Sequence, residues 1–475
     1  MDIRFTLQAE YAGPEYTVTL FNLYGYTSGS NTPNLLASNV TKALLLGPTN
    51  NPGYIVTTPL AIVSGYVQPL GACGAAPPQT YSLVFSPGPI IVGNFSNYSG
   101  KTSVGIVKLN NDLTLDQTFN VGSGFGFSSI ANNNGPIQIV KQSNGKIVVA
   151  GTFSTYDGVL SSNINVIRLN PDGSRDYTFN FNGGFYTSKT ILSIDTQTDG
   201  KILIAGANNT TLTPTTAGSG WLFRINVDGT LDTTFNNNVP SLNGTIRVVL
   251  FLPNDNQSIL IAGNFTTPQN GMLKLSSNGQ QTAFANANTT SSVDGLGKIS
   301  CMTLDSQNRI MIGGSFTQAF GQAIINPIRI NSAGVMDTNW FPRCNGVVNS
   351  MIELPGTGGV VVAAGNFTGV NTSPLYTRNG IARLLPTGVV DNSIPTWASL
   401  TATYNTDPSS YWFPGPKVSL LSDGNILFYG NIASVNGSAT YTNIVKIGAA
   451  TGQPVTVGIT YGISEVANYR DAVSI

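Results

Sequence analysis

Residues 191–236 read ILSIDTQTDGKILIAGANNTTLTPTTAGSGWLFRINVDGTLDTTFN. A TDG turn at 198–200 separates two short apolar runs, and a VDG turn at 227–229 separates two more. Asp-Gly tolerates positive φ and fits a tight hairpin. KILIAG is apolar on consecutive residues, the pattern of a strand covered on both faces. The stretch predicts four short antiparallel strands: ILSIDTQ, KILIAG, WLFRIN and TLDTTFN. One such sheet cannot cover both of its own faces, so it requires similar sheets on either side.

Those copies are present. The glycine-ended strand recurs as PIIVGNFS (Gly93), KIVVAGTFS (Gly151), KILIAGANN (Gly206), SILIAGNFT (Gly263), RIMIGGSFT (Gly314), VVVAAGNFT (Gly365) and NILFYGNIA (Gly430). Successive glycines lie 58, 55, 57, 51, 51 and 65 residues apart. A second element follows each: VKLNNDLTLDQTFN (107–120), IRLNPDGSRDYTFN (167–180), FRINVDGTLDTTFN (223–236), LKLSSNGQQTAFAN (273–286), IRINSAGVMDTNWF (328–341), ARLLPTGVVDNSI (382–394) and a degenerate VKIGAATGQPVTV (445–457). Two elements repeating in fixed order are the signature of a repeat architecture. Sheets packed radially about an axis cover both faces of each, so the expected fold is all-β, a seven-bladed β-propeller of four-stranded blades. A linear solenoid is the alternative, though its coils are usually shorter.

The pattern DGKIL(I/V)AG(N/T)F followed by RLNxDGxxDxTFN resembles the delta-60 repeat family, over residues 80–457. The first copy departs by lacking DG before its apolar strand, the fourth by lacking the late aspartate, and the seventh by losing most of the second element. The resemblance implies a β-propeller-type repeat of bacterial surface proteins and tailed-phage structural proteins. It carries no catalytic residue.

The chain outside the repeats divides into an N-terminal domain, 1–78, and a C-terminal tail, 458–475, around a propeller at 79–457. DIRFTLQAEY, YTVTLFNLYGYT, KALLLG and GYIVTTPLAIVSGYV supply strands of a small sandwich-like β-domain suited to docking. GACGAAPPQT at 71–80 reads as a linker. The tail is expected to return to the N-terminal domain or to contact another molecule.

Composition narrows the chemistry. Of 475 residues, 9% are charged, with 22 Lys+Arg against 22 Asp+Glu; about 25% is usual. Such a balance argues against counterion-release nucleic-acid binding and against a polybasic membrane contact. Histidine is absent and glutamate occurs only at 10, 15, 353 and 465, which removes histidine triads and imidazole zinc sites. The cysteines Cys73, Cys301 and Cys344 form no CxxC; free thiols are expected, with one disulfide as the alternative. No run of 18 apolar residues occurs, so no helical membrane insertion is expected. The opening MDIRFTLQAEYAGPEYTV lacks the basic and apolar regions of a secretory leader, and none is expected.

The late aspartates Asp116, Asp176, Asp232, Asp337 and Asp391 share one repeat position. They are read as structural acceptors for turn or strand-end donors, because catalysis needs local asymmetry. NPDGSRD (170–176) and NVDGTLD (226–232) faintly resemble calcium loops but lack the final bidentate glutamate, so turns are expected. The repeated aromatics Phe119, Phe179, Phe235, Phe284 and Trp340 are read as packing between blades rather than a sugar-stacking ladder. The candidate ligand contacts are instead the non-repeated aromatics of the long sixth-to-seventh connection: Trp397, Tyr404, Tyr411 and Trp412, with Phe413 beside them. GLGKIS at 295–300 lacks the first glycine of a phosphate loop. No catalytic residue, metal or cofactor is expected.

A low-charge, Asn/Thr/Gly-rich β-protein with no expected leader fits a virion component, assembled in the host cytoplasm and exposed after lysis. The expected function is non-enzymatic: a tailed-phage tail, fibre, baseplate or capsid-decoration protein whose propeller displays a rigid surface. Its expected partners are other virion structural proteins and a host surface glycan or receptor. A polysaccharide-degrading propeller and a bacterial cell-surface adhesin are the alternatives.

Overall fold

The computed structural model describes residues 88–98, 101–116, 118–126, 135–160, 166–181, 190–207, 220–284, 289–290, 299–320, 322–323, 326–371, 375–394, 402–404, 415–430, 432–436, 443–455 and 468–474, and the strand segments 2–5, 20–27, 34–41, 54–57, 62–70 and 79–81. The chain divides into two compact units: Met1–Pro87 with Gln117–Asn120, and Gly88–Asp116 with Val121–Ile475.

Two antiparallel sheets occur among the described residues of the first unit. Asp2–Phe5 pairs with Tyr54–Thr57, and a four-stranded sheet runs in the order Asn34–Thr41, Leu20–Thr27, Ile62–Leu70, Gln79–Tyr81. Gln79–Tyr81, at the end of the segment expected to be a linker, pairs with Gly65–Val67, and the first compact unit runs to Pro87.

The second unit is all-β repeat structure. Nine three-stranded antiparallel sheets occur among its described residues, and seven of them are built on the glycine-ended strands. The first contains β1 (Pro89–Asn94) and β2 (Ile106–Lys108). The second contains β3 (Gly135–Lys141), β4 (Ile147–Thr152) and β5 (Val166–Leu169); the third, β6 (Thr190–Thr196), β7 (Ile202–Ala207) and β8 (Gly220–Ile225). The fourth contains β9 (Ile246–Leu252), β10 (Ser258–Gly263) and β11 (Met272–Leu275); the fifth, β12 (Ile299–Leu304), β13 (Ile310–Gly314) and β14 (Ile328–Ile330). The sixth contains β15 (Val347–Glu353), β16 (Val361–Asn366) and β17 (Ile381–Leu384); the seventh, β18 (Lys417–Leu420), β19 (Ile426–Tyr429) and β20 (Ile444–Ile447). A further strand, β21 (Asn468–Ser474), pairs with β1 and completes the first sheet in the order β2-β1-β21.

In each of these seven sheets the glycine-ended apolar strand is central, as its unbroken hydrophobicity requires: Ile147, Val148, Val149 and Ala150 are all fully buried. Apolar clusters join consecutive sheets. Leu260, Ala262 and Met272 of the fourth pack with Ile310, Ile312 and Ile328 of the fifth. Ile91 and Val107 of the first pack with Leu427, Tyr429 and Ile444 of the seventh. Among the first strands of the sheets, β3 packs on β6, β6 on β9, β9 on β12, β12 on β15 and β15 on β18; β21 packs on both β18 and β3.

The glycine that ends the central strand has a steric cause. In six sheets it pairs just before a register shift in the first strand, as at Ile191/Ser193, Ile246/Val248 and Tyr469/Asp471. The bulge brings a first-strand carbonyl inward. A Cβ on Gly206 would lie 1.9 Å from Thr190 O.

Two expectations are corrected. The fourth strand of each sheet is not a ladder: it is a single bridge, such as Leu169↔Arg175 or Ile225↔Leu231. In the third repeat TLDTTFN then turns into α1 (Thr233–Asn238), whose N-terminus Asp232 caps by accepting from Phe235 N. The capping carboxylate gives this backbone a partner other than the strand beside it. Likewise, within the segment 458–475 that was expected to lie outside the repeats, residues 468–474 belong to the first sheet. The chain enters the first repeat at its central strand, whose open edge would leave buried backbone groups unpaired. Residues 468–474 fill that edge, reproducing the register shift of the other first strands.

Removing residues 468–474 should therefore strip hydrogen-exchange protection from 89–94, lower the thermal midpoint and promote self-association through the bared edge. Exchange mass spectrometry and light scattering read both; unchanged protection of 89–94 would show the strand to be dispensable.

Candidate functional site

The recurrent polar group of the repeat is built around a basic residue on the third strand of each sheet. Lys108, Arg168, Arg224, Lys274, Arg329, Arg383 and Lys446 hold one register position, each two residues before a sharp turn. Arg168, Arg224 and Arg329 are 5%, 7% and 4% exposed. A cation so enclosed needs paired charge and saturated hydrogen bonds.

The late aspartate supplies the charge. Eight residues on from its cation, Asp116 pairs with Lys108 at 2.9 Å, Asp176 with Arg168 at 2.6 Å, Asp232 with Arg224 at 2.8 Å and Asp337 with Arg329 at 2.7 Å. Asp391 pairs with Arg383 in the same way. The other carboxylate oxygen binds the backbone ahead: Thr178 N donates to Asp176 at 3.0 Å, Asn339 N to Asp337 at 3.0 Å and Ser393 N to Asp391 at 2.9 Å. In the fourth repeat threonine stands at the aspartate position, and Lys274 pairs with Asp255 instead. In the seventh, Lys446 pairs with Asp423.

The repeated aromatic closes the unit from the other side. The Arg168 guanidinium lies 4.7 Å from the Phe179 ring, Arg224 lies 4.2 Å from Phe235 and Arg329 lies 5.0 Å from Trp340. Phe119, Phe179, Phe235 and Trp340 are buried and Phe284 is half-buried. The rings are packing residues and not an exposed ladder.

The cation then reaches forward to the next sheet. Arg168 donates to Val227 O, Arg224 to Ser277 O, Lys274 to Ser332 O, Arg329 to Pro386 O and Lys446 to Asn111 O. The last of these joins the seventh sheet to the first. Each acceptor sits in the turn after the neighbouring third strand. Those turns approach closely: Gly229 has φ +91°, and a Cβ there would lie 2.8 Å from Phe181 N.

The calcium-like loops resolve into two separate uses of aspartate. Asp172 and Asp228 are exposed and each accepts from the backbone N and hydroxyl of the residue two ahead, Ser174 and Thr230. Asp176 and Asp232 face inward on arginine. Among the described residues no group of three or more Cys, Asp or Glu is placed to hold a metal ion.

Electrostatics follow the pairing. Burial works against ionisation of Asp176, but hydrogen bonds from Lys146, Thr178 and Arg168 hold its carboxyl well below the usual carboxylate range. At Asp232 and Asp337 burial is likewise outweighed, by Phe235 N with Arg224 and by Arg329 with Asn339 N. Burial pushes the Cys301 thiol up to about 12 and raises that of Cys344 as well; both cysteines are free.

Of the aromatic ligand candidates, Trp397, Tyr411, Trp412 and Phe413 lie outside the described residues. The backbone of Tyr404 belongs to the short strand Ala402–Tyr404, paired with Ile432–Val435 next to the seventh sheet. What the sequence reading missed is the basic residue. Its signal was there: a Lys or Arg eight residues before each late aspartate.

A family model described as a domain of unknown function (DUF5122) beta-propeller matches residues 90–119, 142–179, 197–235 and 359–393. No curated protein matches the chain. Among solved structures, puromycin hydrolase is similar at 13% identity over 79% of this chain and 53% of its own, with a TM-score of 0.44. A catalytically inactive virginiamycin B lyase from Staphylococcus aureus is similar at 13% identity over 70% and 88%, with a TM-score of 0.38. A protein of unknown function from Bacteroides caccae follows at 12% identity over 64% and 92%, with a TM-score of 0.32.

Asp176→Ala should cost about 3 kcal/mol, because it strands a buried guanidinium, and Asp232→Ala about 1–3 kcal/mol; urea midpoints measure both. The depressed carboxyls add stability above the ordinary carboxylate pKa of 3.8 and lose it as pH falls through their folded values. The urea midpoint should accordingly drop between about pH 4 and about pH 2. Trp340 is fully buried and its indole N–H finds no acceptor among the described residues. Trp340→Phe, which installs the aromatic of the other repeats, should therefore change stability by less than about 1 kcal/mol, unlike an ordinary buried tryptophan deletion.

Proposed function

We propose that the seven sheets are the blades of a closed seven-bladed β-propeller, and that the chain is a non-enzymatic structural protein of a tailed-phage virion. The observation that carries the non-enzymatic reading is the engagement of the recurrent charges. Asp116, Asp176, Asp232, Asp337 and Asp391 are tied to cations of their own repeat. Those of the second, third and fifth sheets in turn bind the following sheet. Closure is supported by β21 in the first sheet and by Lys446 on Asn111 O.

On this reading the propeller is a rigid platform, and its variable loops meet a host surface glycan or receptor. The sixth-to-seventh connection, with Trp397, Tyr404, Tyr411 and Trp412, is the proposed contact. Other virion proteins are the proposed assembly partners, the N-terminal unit the docking element, and assembly in the host cytoplasm the route to the particle.

Mass spectrometry of gradient-purified particles, with antibody labelling of intact ones, tests the assignment. Stoichiometric, surface-accessible protein is expected. Absence from particles overturns the virion role, and release of soluble oligosaccharide from host surface glycan overturns the non-enzymatic one. Negative-stain class averages of the whole protein should show seven spokes around the axis.

A further inference from the structure

Between the first strands of the third and fourth sheets, a serine and a carboxyl group bridge one sheet to the next. On β6, Ser193 Oγ accepts from Val249 N at 3.1 Å and Asp195 Oδ2 accepts from Phe251 N at 2.7 Å, both donors lying on β9 of the fourth sheet. Asp195 Oδ1 also accepts from Thr196 N at 2.8 Å. At other joints the contacts that correspond to that of Ser193, just after the register shift, use groups that carry no charge, and between the fifth and sixth sheets another carboxylate, Glu353, accepts from Ser306 N and Oγ. Cys301 Sγ donates to Val348 O, and Ser350 Oγ donates to Val418 O at 3.1 Å.

We propose that Asp195 makes the joint between the third and fourth sheets acid-responsive, closed most firmly when its carboxyl is protonated and loosened when it ionises. The geometry supplies the reason. Asp195 is itself half-buried, on a strand packed against neighbours whose Val249, Phe251, Leu203 and Ala205 are buried. The elements packed on β6 are β3, β4, β7 and β9, and their charged residues are Lys141 on β3 and Arg247 on β9. The ionised form therefore relies on two backbone N–H groups. A protonated carboxyl keeps a carbonyl oxygen for Phe251 N and carries no charge into the joint. Burial, opposed by the N–H groups of Phe251 and Thr196, pushes Asp195 up to about 6 from 3.8.

The sign follows from that direction. A carboxyl whose closed-state pKa lies above its open-state value contributes stability that is complete below the open-state value. This stability is lost as pH rises through the closed-state value. Opening should therefore increase from mild acid to neutrality, opposite in sense to the acid loss from Asp176, Asp232 and Asp337.

Hydrogen-exchange mass spectrometry of the full chain, read on the peptide covering 246–252 and corrected for intrinsic exchange, tests this. Opening should rise about tenfold between about pH 4.5 and about pH 7. Asp195→Asn should flatten the profile and give more protection at neutral pH than the wild type, while Ser193→Ala should leave the pH dependence in place. A wild-type profile that is flat, or that parallels Asp195→Asn, overturns the proposal. If Asp195→Asn fails to fold, the wild-type midpoint decides alone, and a midpoint outside about pH 4–6 overturns it.

Discussion

The structure depends on one interaction repeated along the chain: a buried cation on the third strand of a sheet, held by its own late aspartate and reaching a turn carbonyl of the next sheet. Arg168 shows the unit most fully, bound to Asp176, stacked on Phe179 and donating to Val227 O. Apolar clusters between sheets provide most of the cohesion, but apolar packing is non-directional. A guanidinium with fixed donor directions sets where one sheet stands on the next. This explains how a chain with 9% charged residues keeps so many of its charges inside.

The same interaction constrains chemistry. A carboxylate bound to arginine and to a backbone N–H ahead of it has little capacity left for a substrate or proton transfer. The two aspartates of NPDGSRD make the point. Asp172 shapes an exposed turn and Asp176 neutralises a buried cation, so the spacing that resembles a metal loop serves two separate structural ends. Asp195 differs from the late aspartates because its contact to the fourth sheet is made through a backbone N–H, with no cation paired to it among the described residues, and burial shifts it upward where pairing shifts the others downward.

Much of this was legible in residues 191–236. Consecutive apolar residues marked KILIAG as the central strand, and the Asp-Gly turns marked the hairpins. The structural role of the late aspartate and the packing role of Phe179, Phe235 and Trp340 were legible from repetition alone. The fourth strand was misread because TLDTTFN has strand-like composition, while Asp232 diverts the backbone into a helical turn. The aromatics of the sixth-to-seventh connection stood out as an insertion, but only the backbone of Tyr404 among them falls within the described residues.

By itself the sequence determined the all-β class, the repeat, the central strand of each sheet and the exclusion of histidine chemistry, because these are local properties of composition and period. Only the tertiary structure decided which groups meet across sheets. Lys446 reaches Asn111 O across 335 residues, and β21 fills the edge of β1. Neither has a local signature: NYRDAVS carries none of the repeat's hallmarks. Its place is set by the unpaired backbone of a strand far away in the chain, a demand that exists only once the other sheets have formed.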